Sequence, residues 1–294
     1  MKYLVVGASG YLGSYMLQEL LGSTGAEIIA TYGHKPGSIT DSRIDWQQLD
    51  LTSLAEVESF TGRLNEAGES YRVIYLAAIH HPDEVQSKFN YAWDVNVTAL
   101  SLFLSHLENM ETIYFASTEM VYGASSLGHS FREEDEVNPI NAYGLQKTVA
   151  EKLVLSRGGN VARFALLMGK GIGGKPHFVD EIIRTVQEGK DMEMLHDTYR
   201  NIIGFNSAAR LVVALAEKYR GTQVGIVNIA ADDVITKYDM AITLAEKYCL
   251  DKAHIKPLTL ENNDFFSDRR AKVLCLDNTK VKRLLGIEEI HLEL

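Results

Sequence analysis

Two cysteines, Cys249 and Cys275, are all the thiol in this 294-residue chain. That is too few for a disulfide framework, shows no zinc-ligand spacing, and suits a reducing compartment. No basic stripe is present: acidic and basic residues are interspersed, and the net charge is −10. A nucleic-acid partner is therefore not expected. The apolar runs fall far short of the roughly 20 residues that span a bilayer, so no membrane segment is expected either. The first apolar run starts at Tyr3, leaving no room for a signal peptide, and the protein is expected in the cytoplasm. There is no internal repeat and no low-complexity tract.

What is present suffices for one large domain, or a core domain with a smaller lobe: the chain is 46% hydrophobic and 23% charged. Its most informative stretch is GASGYLG at 7–13. A short apolar run (Tyr3, Leu4, Val5, Val6) precedes it. Leu12, Met16, Leu17, Leu20 and Leu21 follow at helical spacing. A buried strand thus turns into a helix at the glycines. Gly7 permits the tight turn, Gly10 lets a pyrophosphate approach bare backbone, and Gly13 lets helix pack on strand. N–H groups at the helix start face the phosphates. Ser9, Tyr11 and Leu12 complete this expected cofactor loop. The alternative is a plain tight turn.

Strands are expected at 27–32, 44–49, 72–77, 112–116 and 160–166. Helices are expected from a Thr52 or Ser53 cap to about 67, in one long run from Pro82 to about Glu108, and from Asn141 to about Ser156. In the long helix, Phe89, Trp93, Val97, Leu100, Leu104 and Leu107 are spaced to face a core. This alternation predicts an α/β fold, a doubly wound parallel sheet. After Gly169 the pattern loosens. A helix at 177–188, a return to the main domain at 203–219, a strand at 224–229 and a helix at 237–248 follow. The polar segment 261–272 completes a smaller C-terminal lobe. Residues 1–168 and 203–230 are assigned to a dinucleotide-binding domain, and 169–202 and 231–294 to a substrate-binding lobe.

Tyr143 and Lys147 lie four apart, on one face of the helix that Asn141 opens. An ammonium beside a phenol favours the phenolate and lowers a pKa that is normally about 10. Such a tyrosine can exchange a proton with an alcohol or carbonyl. The alternative is an ordinary surface pair. Thr118 follows the fifth strand, where ligands bind in an open parallel sheet. Its hydroxyl either binds a substrate oxygen or merely caps the strand. His80 and His81 border the same mouth, but no third ligand follows at metal spacing, so no metal is expected. Arg269 and Arg270 suit a substrate diphosphate, or form a solvated charge cluster.

GASGYLG, DLT at 50–52, LAAI at 76–79, VNV at 95–97, STEMVYG at 117–123 and YGLQK at 143–147 together resemble the extended short-chain dehydrogenase/reductase family. The resemblance implies a catalytic set of Thr118, Tyr143 and Lys147. Tyr143 would exchange the proton, Lys147 would lower its pKa and hold the nicotinamide ribose, and Thr118 would orient the reacting oxygen. It also implies that Asp50 and Leu51 contact the adenine and that Ala77 and Ala78 line the cofactor. Ile79, His80, Glu119, Arg269 and Arg270 are the expected substrate contacts. Segments 225–241 and 269–287 are similar to the dTDP-4-dehydrorhamnose reductase group, with Ala271 in place of that group's proline. Segment 197–211 looks more like the epimerases, with Ser207 where an acid is usual.

Three functions follow. The first is reduction of a 4-keto group on a nucleotide-linked deoxysugar. The second is epimerisation of a nucleotide sugar with a retained cofactor. The third is a non-catalytic regulatory subunit that binds dinucleotide. A homodimer through helices 83–108 and 141–156 is possible, as in relatives. NADP is the expected cofactor and NAD a possible one. The second strand ends ATYGHK, with no carboxylate between Ala30 and Thr40 to hold both ribose hydroxyls. Thr31 or Tyr32 takes the expected position, and Lys35 follows in the loop, where a cation attracts a 2′-phosphate.

Overall fold

The computed structural model describes residues 1–262 and 266–293. The glycine loop joins β1 (Lys2–Val6) to α1 (Tyr11–Ser23). Next come β2 (Ile28–Tyr32), β3 (Ile44–Gln48) and α2 (Leu54–Glu66), where Ser53 caps the helix by accepting from the Glu56 N–H. β4 (Tyr71–Tyr75) leads to α3 (Pro82–Ser87), α4 (Phe89–Trp93) and α5 (Ala99–His106). β5 (Met110–Thr118), α6 (Ala142–Ser156) and β6 (Asn160–Phe164) complete the regular alternation. Then follow β7 (Leu166–Met168), α7 (Phe178–Gln187), β8 (Met192–Leu195), β9 (Tyr199–Gly204), α8 (Phe205–Lys218) and β10 (Ile226–Ile229). β11 (Val234–Ile235), α9 (Lys237–Lys247), β12 (Ile255–Leu258), β13 (Val273–Leu274) and α10 (Thr279–Leu285) end the chain.

Seven parallel strands form the main sheet in the order β10-β6-β5-β4-β1-β2-β3. The strand order reverses between β1 and β4, so the loops leaving their carboxyl ends diverge and open a crevice. Helices cover both faces. Met16, Leu17 and Leu20 of α1 pack with Leu211, Val212 and Leu215 of α8 on one face. Val57 and Phe60 of α2 pack with Leu100, Phe103 and Leu104 of α5 on the other. Beyond the carboxyl ends, β9 pairs with β7, β11 and β13 in a second sheet, and β8 pairs with β12. Val179 and Ile182 of α7 and Met240 and Leu244 of α9 form a separate core there.

Two expectations need correction. The single strand at 160–166 is two strands: β6 lies in the main sheet beside β5, whereas β7 turns away to pair with β9. The long helix at 82–108 is broken at Lys88 (φ −122°, ψ 45°) and carries a π-turn over Asp94–Thr98. A π-turn adds one residue to the spiral and rotates the following face by about 100°. Phe89, just after the break at Lys88, is exposed, whereas Val97, Leu100, Leu104 and Leu107 are buried as expected and Val95, Asn96 and Ala99 are buried with them. The expected 261–272 segment falls partly on residues outside those described. Among the described residues, no helix is long and apolar enough to cross a membrane.

Candidate active site

The glycine loop sits at the reversal of strand order. Gly7 has φ +86°, and a Cβ there would lie 2.8 Å from Ala77 N. A Cβ on Gly13 would lie 2.6 Å from the Gly7 and Ala8 carbonyl oxygens. Gly10 differs: the nearest atom to its Cβ would be Gly7 O at 3.4 Å, so internal packing does not demand glycine there. Its bare Cα instead keeps the space above α1 open. No side chain caps α1, and its first turn carries no acidic residue. These features fit a dinucleotide pyrophosphate. Ser9, Tyr11 and Leu12 line the same turn. The Gly7 N–H donates to Thr31 Oγ1 at 3.0 Å, which ties the loop to the end of β2.

The other cofactor expectations are placed unevenly. Ala77 abuts Gly7 and donates its N–H to Val6 O, with Ala78 next in the chain. Tyr32 ends β2, edge-on to Trp46. Lys35 is exposed on the loop beyond. The Asp50 carboxylate accepts from Thr52 N and Thr52 Oγ1, and these bonds lower its pKa. It therefore stabilises its own turn. Leu51 is packed in the core against α2.

Around β5 the structure assembles a network. Asn141 caps α6, its side chain accepting from Gly144 N at 2.8 Å. The helix start packs so tightly on the turn after Thr118 that a Cβ on Gly144 would lie 2.4 Å from Met120 O. Tyr143 is buried in a small cluster with Val85 and Ala92, against which Ile79 and Met120 pack. Lys147 is buried too. Its ammonium donates to Ala116 O at 2.7 Å, lies 4.3 Å from the Phe115 ring centroid and 5.9 Å from that of Tyr143. Thr118 Oγ1 accepts from Met120 N at 3.3 Å, so the capping role is filled, leaving its proton for another acceptor. Ile79 is held through its backbone by Asn96, which also donates to Gln146 at 2.8 Å. The inward turn of Asn96 thus links the end of β4 to α6. His80 stands exposed beyond Ile79.

The expected activation of Tyr143 is corrected by these surroundings. Burial pushes the phenol pKa up, and it pushes Lys147 down to about 7 although Glu151 pulls the other way. Glu151 itself is committed below: Arg163 Nη2 donates to it at 2.6 Å and Ser117 Oγ at 2.5 Å. Burial is what acts on Tyr143, and with its pKa raised the phenol keeps its proton.

The expected substrate contacts separate. Arg270 lines a pocket with Met120, Asn141 and Arg200. It is paired with Asp83 at 2.8 Å, whereas Arg269 is exposed, so the two arginines do not act as one cluster. Glu119 is buried and accepts from Arg200 Nε at 3.2 Å. Lys237 faces this group, its pKa lowered by burial and by Arg200 and Arg270. Arg200, Lys237 and Asp83 escaped sequence reasoning. Asp83 carried one signal, its place after Pro82 at a helix start, but nothing local points to Arg270, 187 residues away.

A family model for the RmlD substrate binding domain matches residues 1–293. This chain belongs to that family. Among curated relatives, methionine adenosyltransferase 2 subunit beta of Danio rerio is 25% identical over 264 residues, 88% of this chain and 77% of that protein. The dTDP-4-dehydrorhamnose reductase of Aggregatibacter actinomycetemcomitans is 22% identical over 296 residues, 98% of this chain and 94% of that one. Among solved structures, a hypothetical dTDP-4-dehydrorhamnose reductase from Sulfolobus tokodaii superposes with a TM-score of 0.81 at 23% identity, over 100% and 98% of the two chains. The UDP-glucuronic acid 4-epimerase of Bacillus cereus, in complex with UDP-glucuronic acid and NAD, gives 0.82 at 19% identity, over 99% and 95%. The RmlD-family chain therefore has an extended short-chain dehydrogenase/reductase fold.

Proposed function

We propose that this chain is a dinucleotide-dependent oxidoreductase that reduces a keto group on a nucleotide-linked deoxysugar. The observation that carries the reading is the Tyr143–Lys147 pair, seated on the capped start of α6 against the Thr118 turn. When bound, the dinucleotide supplies a hydride. Tyr143, a neutral phenol, donates the proton that the reduced carbonyl oxygen needs. Thr118 has its hydroxyl proton left to hold that oxygen. Lys147, fixed on Ala116 O with its nitrogen 5.9 Å from the Tyr143 ring centroid, is drawn towards its charged form by the phenolate that forms and so offsets it. Arg270, which lines the pocket with Asn141 and Arg200, and Lys237 near it provide basic side chains for a nucleotide diphosphate.

NADP is the cofactor we favour, because no carboxylate lies between Ala30 and Thr40 and Lys35 is free to meet a 2′-phosphate. Relatives named as a subunit beta favour a second reading, a dinucleotide-binding subunit of a larger assembly without turnover of its own. A thermal-shift panel of nucleotide sugars with NADPH or NADH separates the readings, because a native-state ligand raises the Tm by mass action. Paired shifts from dinucleotide and nucleotide sugar support the reductase. A dinucleotide shift with no response to any sugar supports the subunit.

A further inference from the structure

The segment 169–177, GKGIGGKPH, is anchored at both ends, and its middle rests on the glycine loop. Asp180 Oδ2 on α7 accepts from Gly171 N at 2.6 Å and His177 N at 2.8 Å, and His177 Nδ1 meets Gly169 O at 3.0 Å. The tip reaches across to the glycine loop. Lys175 Nζ donates to Ser9 O at 3.2 Å, and Tyr11 OH donates to Pro176 O at 2.7 Å. Gly173, at φ +66°, lies so close to the loop after β2 that a Cβ would sit 2.0 Å from Ser38 Oγ. The tip therefore bridges the start of α1 and the 33–40 loop, the two rims between which the dinucleotide lies in the proposed function.

Lys175 is electrostatically out of place there. A helix N-terminus carries partial positive charge and repels a cation. The first turn of α1 has no acidic side chain to offset it. An anion lying between the lysine and the α1 N–H groups turns the repulsion into two attractions. We propose that Lys175 binds the pyrophosphate of the dinucleotide and that the 169–177 segment is the lid carrying it. The inference rests on the dinucleotide reading given above. It assigns Lys175 the phosphate bridge shared by NAD and NADP, in contrast to Lys35, which faces the 2′-phosphate.

The test is calorimetric titration of NADPH and of NADH into the full chain, as wild type, Lys175→Ala and Lys170→Ala. Lys170 belongs to the same segment but turns to the Tyr248 ring, 4.7 Å from its centroid, so it controls for general loop damage. Loss of one charge-assisted contact predicts about tenfold weaker binding of both dinucleotides in Lys175→Ala. Lys170→Ala should bind like wild type, and the salt dependence of binding should be shallower in Lys175→Ala. Unchanged affinity for both, or a loss confined to NADPH, overturns the assignment. Failure of wild type to bind either dinucleotide would instead overturn the proposed function.

Discussion

Glu119 offers a quantitative test of the polar seam between the two sheets. Its side chain is 2% exposed. One carboxylate oxygen accepts from Arg200, and the other is buried without a hydrogen-bond partner. Burial pushes its pKa up to about 7 against the pull of Arg200. Because the folded value lies above the unfolded one, the associated stabilisation is fully present below about pH 4.5 and is lost as pH rises through about 7. At 1.36 kcal/mol per unit, the span to about 7 amounts to at most about 3 kcal/mol. Glu119→Gln mimics the neutral acid. Arg200 would keep its bonds to the Tyr199, Lys272 and Ala271 carbonyls, so the guanidinium is not stranded. The variant should match wild type at about pH 4, gain on it as pH rises to about 7, by up to about 5 °C in Tm for a chain of this size, and then level off. Thermal melts at half-unit pH steps measure the difference. A constant offset, or a variant that loses stability at pH 8, would show that the Arg200 attraction wins and that the carboxylate is stably ionised.

Further outcomes follow from the same contacts. Glu151→Ala should cost about 3–5 kcal/mol in denaturant unfolding, since it strands the buried Arg163. Asp83 accepts from Ser267 N, Ser267 Oγ, Asp268 N and Arg270 Nη2, so Asp83→Ala should free this strap. Trypsin should then cut faster after Arg269 or Arg270, and the KM for a nucleotide sugar should rise with kcat little changed. Lys35→Ala should weaken NADPH binding about threefold and leave NADH unaffected, as removal of one exposed, salt-screened cation implies. Equal effects on both would remove Lys35 from 2′-phosphate recognition.

The sequence made most of the main sheet legible because its inner strands are buried on both faces and read as apolar runs, whereas the edge strand β3 is half-exposed. β1, β2 and β4 are of this kind. The glycine loop and the α6 cap were legible because turn and cap chemistry is local, as Gly7 and Asn141 show. The break at Lys88 was not, because 82–108 is helical at every local position. Tertiary contacts accompany both interruptions: Gln146 donates to Phe89 O beside the break, and Asn96 turns inward to Ile79 and Gln146 in the π-turn. The short strands β8, β12 and β13 escaped because two to four residues carry too little periodicity. The state of Tyr143 escaped for a different reason. Four-residue spacing puts Lys147 on its face but says nothing of the depth at which both are buried. That depth raises the tyrosine pKa and lowers the lysine pKa, the latter against the pull of Glu151.

The central claim is that Tyr143 donates a proton in a dinucleotide-dependent reduction. It is tested most directly by single-turnover oxidation of NADPH with a nucleotide-linked 4-keto-6-deoxy sugar, in wild type and Tyr143→Phe, with dinucleotide affinity measured in parallel. The account predicts a substrate-dependent loss of NADPH absorbance in wild type. In the variant that loss should slow by about two to four orders of magnitude, the usual worth of a positioned proton donor, while dinucleotide binding persists. Turnover within a few-fold of wild type in the variant would contradict it, as would wild-type protein that binds NADPH and oxidises none with any such sugar.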